Sequence, residues 1–234
     1  MKKLTILYDN TATSSSLLAS HGFSCLLEGE ENILFDTGES GSLLLKNMET
    51  LGINPLSVSA VVISHEHYDH IGGLASFLSV NPRTRVYMLP PSSGKTEEIL
   101  SNAWENCIVS GDPRKLTPSI MTTGKVEGPC NEQGLVVQGE EGALLLVGCC
   151  HPGPVAMVER ASLLAGRKIL YLVGGFHFLY TPEEETLRIL RALKDLGVVH
   201  ITPAHCTGFF AIEAIHNLWG ERCTPGGVGK TIFW

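Results

Sequence analysis

In Ser64-His65-Glu66-His67-Tyr68-Asp69-His70, three imidazoles and the Asp69 carboxylate fall within six residues. Ala60-Val61-Val62-Ile63 before it is a short apolar, β-branched run that predicts a buried strand. Ile71 to Leu78 after it carries the pattern of a helix start, so a helix is expected from Asp69 to about Val80. The motif thus sits on a strand-to-helix turn, where side chains converge at the end of a sheet. His65 and His67 are two apart and point to the same side of an extended chain, so both reach one metal. Asp69 and His70 follow the turn and face a second position close to the first. Neutral imidazole and carboxylate suit zinc, and they also suit iron or manganese.

The rest of the composition bounds the setting. At 234 residues, 44% hydrophobic and with mean hydropathy +0.15, residues 1–234 are expected to form a single well-buried domain. The apolar run after Lys2-Lys3 is too short for a signal peptide and reads as a first strand, so a cytoplasmic location is expected. No apolar run approaches the length of a membrane span. The seven cysteines, Cys25, Cys107, Cys130, Cys149, Cys150, Cys206 and Cys223, are odd in number and scattered, which fits reduced thiols better than a disulfide framework. A net charge of −7 without Lys/Arg clusters argues against a nucleic-acid face. It leaves room for a small anionic substrate, because bound metals dominate the local field. Nothing in the sequence sets the oligomeric state.

Two further histidines repeat the opening arrangement. Gly134 to Gln138 and Ala143 to Gly148 predict a hairpin. Its second strand runs into Cys149-Cys150-His151-Pro152-Gly153 ahead of a helix from about Pro154 to Ala165. Val198 to Thr202 predicts a strand that ends at His205, before a helix from Phe209 to Trp219. His151 is assigned with His65 and His67 to a first metal, and His205 with Asp69 and His70 to a second. Between them lie a strand, Lys168 to Val173, and a helix start at Thr181-Pro182-Glu183-Glu184, with Thr181 as cap and Pro182 as first residue. Residues 92 to 133 carry only brief apolar runs and several turns.

His-x-His-x-Asp-His after an apolar strand resembles the signature of the metallo-β-lactamase superfamily. The resemblance implies an α/β fold, the four-layer αββα sandwich, with a one- or two-metal site. Phe35-Asp36-Thr37-Gly38 resembles its first motif, in which the Asp supports the metal-binding loop by hydrogen bonding. In many members an Asp follows the strand that corresponds to Lys168–Val173. Here the chain reads Gly174-Gly175-Phe176-His177. His177 either replaces that carboxylate as a ligand or stands near the metals as a general acid or anion contact. This departure, with Asp9-Asn10, His21-Gly22-Phe23-Ser24, Gly148 to Gly153 and His205-Cys206-Thr207-Gly208, resembles one branch. It is the 7,8-dihydropterin-6-methyl-4-(β-D-ribofuranosyl)-aminobenzene-5′-phosphate synthase-like family.

The expected function is therefore that of a metal-dependent enzyme, a hydrolase or a diphosphate-releasing transferase. Its substrate would be small, phosphorylated and pterin-like, and Asp69 and His177 are the candidate catalytic groups. One or two divalent ions are expected, zinc first, with iron or manganese as alternatives. An iron-binding redox or sensor protein on the same ligands is the competing reading, and a binding protein with a degenerate site is a third. Gly226-Gly227-Val228-Gly229-Lys230-Thr231 and Gly94-Lys95-Thr96 look like phosphate loops. The first has no helix after it, and the second lacks the upstream glycine. His200 and His216 are expected to be structural, and His21 stays undecided.

Overall fold

The computed structural model describes residues 2–92, 96 and 104–234. Of the Gly94-Lys95-Thr96 segment, all but Thr96 lies outside the described residues. The chain divides into two compact units, Met1–Gly111 with Gly227–Trp234, and Asp112–Gly226.

The first unit is built on a seven-stranded sheet. Numbered along the chain, its strands are β1 (Lys3–Tyr8), β2 (Ser24–Glu28), β3 (Asn32–Phe35), β4 (Val58–Val62), β5 (Arg85–Met88), β6 (Cys107–Val109) and β13 (Thr231–Phe233). Their order is β13-β1-β2-β3-β4-β5-β6. The run from β13 to β3 is antiparallel, and β3 to β6 are parallel. Parallel strands are covered on both faces, which explains the nearly continuous apolar run of β4. Helices α1 (Gly41–Thr50), α2 (Tyr68–Ile71) and α3 (Leu74–Val80) complete the unit. Leu44, Met48, Leu74 and Phe77 from these helices pack with Leu7, Leu26, Leu34 and Val61 of the sheet.

The helix expected over 69–80 is two helices, broken at Gly72-Gly73. The cause is a close backbone approach. A Cβ at residue 72 would meet the Glu39 carbonyl oxygen, and one at residue 73 would meet that of Thr37. The break lets the 37–39 loop lie against the histidine turn. The C-terminal Gly-rich segment leads into β13 on the edge of β1, as expected, rather than into a phosphate-binding helix.

The second unit holds a six-stranded sheet ordered β12-β11-β10-β9-β8-β7. These are β7 (Lys115–Thr117), β8 (Ile120–Thr122), β9 (Leu135–Gln138), β10 (Ala143–Val147), β11 (Ile169–Gly175) and β12 (His200–Ala204). The last three are mutually parallel in adjacent positions. Helices α4 (Pro154–Ala165), α5 (Glu183–Asp195) and α6 (Phe209–Trp219) bury Met157, Ala161, Leu190, Leu193 and Ile215 against Leu145, Val147 and Leu172. Burying each of the Met, Leu and Ile side chains contributes roughly 1.5–3 kcal/mol. The strands β6, β7 and β8 escaped the sequence reading because three residues carry no readable period.

Helix α5 starts one residue later than expected. Pro182 caps it, and the Thr181 hydroxyl donates to the His177 carbonyl (3.4 Å) instead of capping the helix. Glu183, Glu184 and Glu185 fill its first turn and Lys194 its last, both favourable to the helix dipole.

Candidate metal centre

In the first unit the end of β4 delivers a preorganised donor set. Asp36, immediately after β3 and fully buried, holds it from behind. Its carboxylate accepts the Ser64 amide N–H (2.7 Å), the Ser64 hydroxyl (2.7 Å) and His70 Nδ1–H (2.7 Å). With its own proton given to Asp36, the Ser64 oxygen accepts His65 Nδ1–H at 2.8 Å. Each of these imidazoles therefore carries its proton on Nδ1 and keeps Nε2 as the electron-pair donor. Thr37 fixes the turn further, donating both its amide N–H (2.7 Å) and its hydroxyl (3.0 Å) to the His70 carbonyl.

The opposite nitrogens converge. His65 Nε2 lies 3.1 Å from His67 Nδ1, and His70 Nε2 lies 3.5 Å from Asp69 Oδ2. Two ligands on a tetrahedral zinc, each at about 2.0–2.1 Å, stand roughly 3.3 Å apart. Both pairs match that separation, so the residues present fit a divalent metal. His65 and His67 do share a side, as their spacing predicted. His21, left undecided by the sequence, sits beside the set with Nε2 3.2 Å from Asp69 Oδ2.

In the second unit the candidate residues come from the C-terminal ends of three neighbouring parallel strands. Register pairs Val147 with Gly174 and Gly174 with Pro203, so the loops carrying His151, His177 and His205 leave the sheet side by side. Gly175 N–H donates to the Gly148 carbonyl (3.0 Å), and Phe176 N–H donates to Thr207 Oγ1 (3.3 Å). The His151 and His177 rings lie 4.4 Å apart between centroids, with His177 exposed and His205 buried. Gly174 and Gly175 also explain why no carboxylate follows Val173 within β11. Gly174 has φ +131, and a Cβ there would meet the Val147 carbonyl oxygen; one at Gly175 would lie 2.6 Å from Cys206 Sγ.

Glu132 is the residue that sequence reasoning missed. It is fully buried, and its Oε1 accepts the amide N–H groups of Gly148 (2.9 Å), Cys149 (3.0 Å) and Cys150 (3.1 Å). Its Oε2 accepts that of His151 (2.9 Å). It shapes the His151 loop much as Asp36 shapes the His65 turn. No local pattern marks it. Burial, then the charge of Glu132, push the Cys150 thiol well above the ordinary thiol range. Backbone strain points to the same places. Among the described residues, the non-glycine positions with positive φ are Asp36, Cys150, His177 and His205. Such conformations cost of order 1–3 kcal/mol each and gather where function over-determines them. His200 stacks on Tyr171 at 4.4 Å and His216 is exposed on α6, so neither joins the set.

Residues 19–162 match the metallo-beta-lactamase superfamily. The chain belongs to this superfamily. A 7,8-dihydropterin-6-methyl-4-(beta-D-ribofuranosyl)-aminobenzene-5'-phosphate synthase of Methanocaldococcus jannaschii is 31% identical, over 99% of this chain and 96% of the relative. An uncharacterized protein of the same organism, MJ0448, is 29% identical over 98% and 99%. Among solved structures, Tm1679, a metal-dependent hydrolase of the beta-lactamase superfamily, superimposes with a TM-score of 0.81 at 24% identity, over 100% and 99% of the two chains. The metallo-beta-lactamase fold, the αββα class expected from the histidine turn, is thereby established. The branch resemblance read from the chain is that of the first relative. The superfamily is enzymatic and binds divalent metals. No helix among the described residues is long and apolar enough to cross a membrane.

Proposed function

We propose that this chain is a divalent-metal-dependent enzyme that hydrolyses, or releases diphosphate from, a small phosphorylated, pterin-like substrate. The observation that carries the proposal is the convergence of His65 Nε2 and His67 Nδ1 at 3.1 Å while Ser64 holds His65 Nδ1 and Asp36 holds His70 Nδ1. In this reading His65, His67 and His151 hold one metal, and Asp69, His70 and His205 hold a second. Zinc suits the set best; iron and manganese suit the same donors. A bound divalent ion supplies Lewis acidity and brings the pKa of a water towards neutrality. Asp69, flanked by His70 and His21, would orient an attacking water and take its proton. His177 is exposed beside His151, where it can donate a proton to a leaving group or contact a phosphate. The pterin-phosphate name of the relative with 31% identity supports the substrate class.

Elemental analysis of protein purified without chelator or affinity tag is expected to return close to two metal equivalents per chain. A chain free of metal, and unable to take it up, would sink the proposal. A panel of chromogenic phosphoesters, thioesters and lactones, run beside a diphosphate-release assay, separates hydrolysis from transfer. Asp36→Asn replaces the carboxylate oxygen facing His70 or Ser64 with a donor. It is expected to weaken metal binding by about 10- to 100-fold, read by competition against a chromogenic chelator.

A further inference from the structure

Cys149 and Cys206 are 57 residues apart in sequence, yet their sulfurs lie 3.1 Å apart at the ends of β10 and β12. We propose that they form a redox-active pair that closes to a disulfide and ties the His151 loop to the His205 loop. The Cys206 thiol points at Cys149 Sγ and at the Cys149 carbonyl (3.9 Å). Gly175 makes the space for it: a Cβ there would lie 2.6 Å from Cys206 Sγ and 3.5 Å from the Cys149 Cα. A disulfide has its sulfurs about 2.05 Å apart, so closure needs an approach of roughly 1 Å. Two thiolates sharing a zinc, each at about 2.3 Å, would instead stand roughly 3.7 Å apart. The observed 3.1 Å falls between the two values.

The oxidant is a peroxide. Cys206 is partly exposed and Cys149 is buried, so Cys206 meets it first. Hydrogen peroxide transfers one oxygen to the Cys206 sulfur, giving a sulfenic acid and water. The Cys149 sulfur then attacks, the S–O bond breaks, and a second water leaves as the S–S bond forms. Overall two thiols and one peroxide give one disulfide and two waters. A dithiol reductant reverses the change by exchange. Cys149 lies two residues before His151, and Cys206 directly follows His205, so the bond constrains both histidine loops at once. The thiol chemistry stands apart from the proposed enzymatic activity and is read independently of it.

The test is to treat the metal-loaded protein with hydrogen peroxide, then count thiols after denaturation and map linkages by non-reducing peptide mass spectrometry. The expected result is a loss of two of the seven thiols, with a cross-link between the peptides carrying residues 149 and 206. That link lowers the summed mass by about 2 Da and disappears on treatment with a dithiol. Cys150→Ala should keep the link, and Cys149→Ser and Cys206→Ser should lose it. A link retained in Cys149→Ser, or over-oxidised Cys206 with no link in the wild-type protein, would overturn the proposal. If either serine variant fails to fold, the wild-type and Cys150→Ala maps decide alone.

Discussion

His67→Ala is expected to lose metal and activity while the fold survives. The His67 ring is exposed, and its Nδ1 faces His65 Nε2 at 3.1 Å, so its removal takes a donor and little packing. Exposed substitutions usually change stability by less than about 0.5 kcal/mol. Losing an outer hydrogen-bond partner of a ligand costs about 10- to 100-fold in metal affinity, and losing a ligand should exceed that range. The measurements are metal content after dialysis, the turnover of whichever ester the wild-type protein cleaves, and circular dichroism on the same sample. Unchanged metal content in a folded variant would remove His67 from the ligand set. His70→Ala is the less informative choice, because His70 is fully buried on Asp36 and its loss would disturb folding and binding together.

Glu132→Ala is expected to destabilise the chain by on the order of 3–5 kcal/mol, since each buried N–H left without an acceptor costs about 1–3 kcal/mol. Four amide N–H groups, those of Gly148, Cys149, Cys150 and His151, lose their acceptor at once. For a chain of this length that is a fall in Tm of roughly 6–20 °C. Glu132→Gln keeps one oxygen, which can serve the three N–H groups now on Oε1. It sets an amide donor against the His151 N–H, for a cost of about 1–3 kcal/mol. Chemical denaturation of the two variants should rank them in that order. Equal stability of Glu132→Ala and wild type would show that the His151 loop holds itself.

How much of the site could be read in advance depended on the sequence distance between its parts. The turn from His65 to His70 was legible because its donors are neighbours, and a spacing of two puts imidazoles on one side of an extended chain. His151 and His205 were legible because each ends a strong apolar run. Glu132 was not, since its four partners lie 16 to 19 residues further along the chain and its own surroundings carry no period. The break at Gly72-Gly73 was missed for a similar reason: the obstacle to a side chain is the backbone of residues 37 and 39.

The sequence by itself determined the strands and helices with clear periods, the candidate donor types, the superfamily and the absence of a carboxylate after Val173. Only the tertiary structure decided that Glu132 braces the His151 loop and why Gly174 and Gly175 exclude a side chain. It alone brought Cys149 to Cys206. The glycine contacts and the cysteine approach hang on the parallel register that sets Val147 beside Gly174 and Gly174 beside Pro203. Each strand's apolar pattern announces that it is buried, but the choice of neighbour and register is made by packing among segments far apart in the chain.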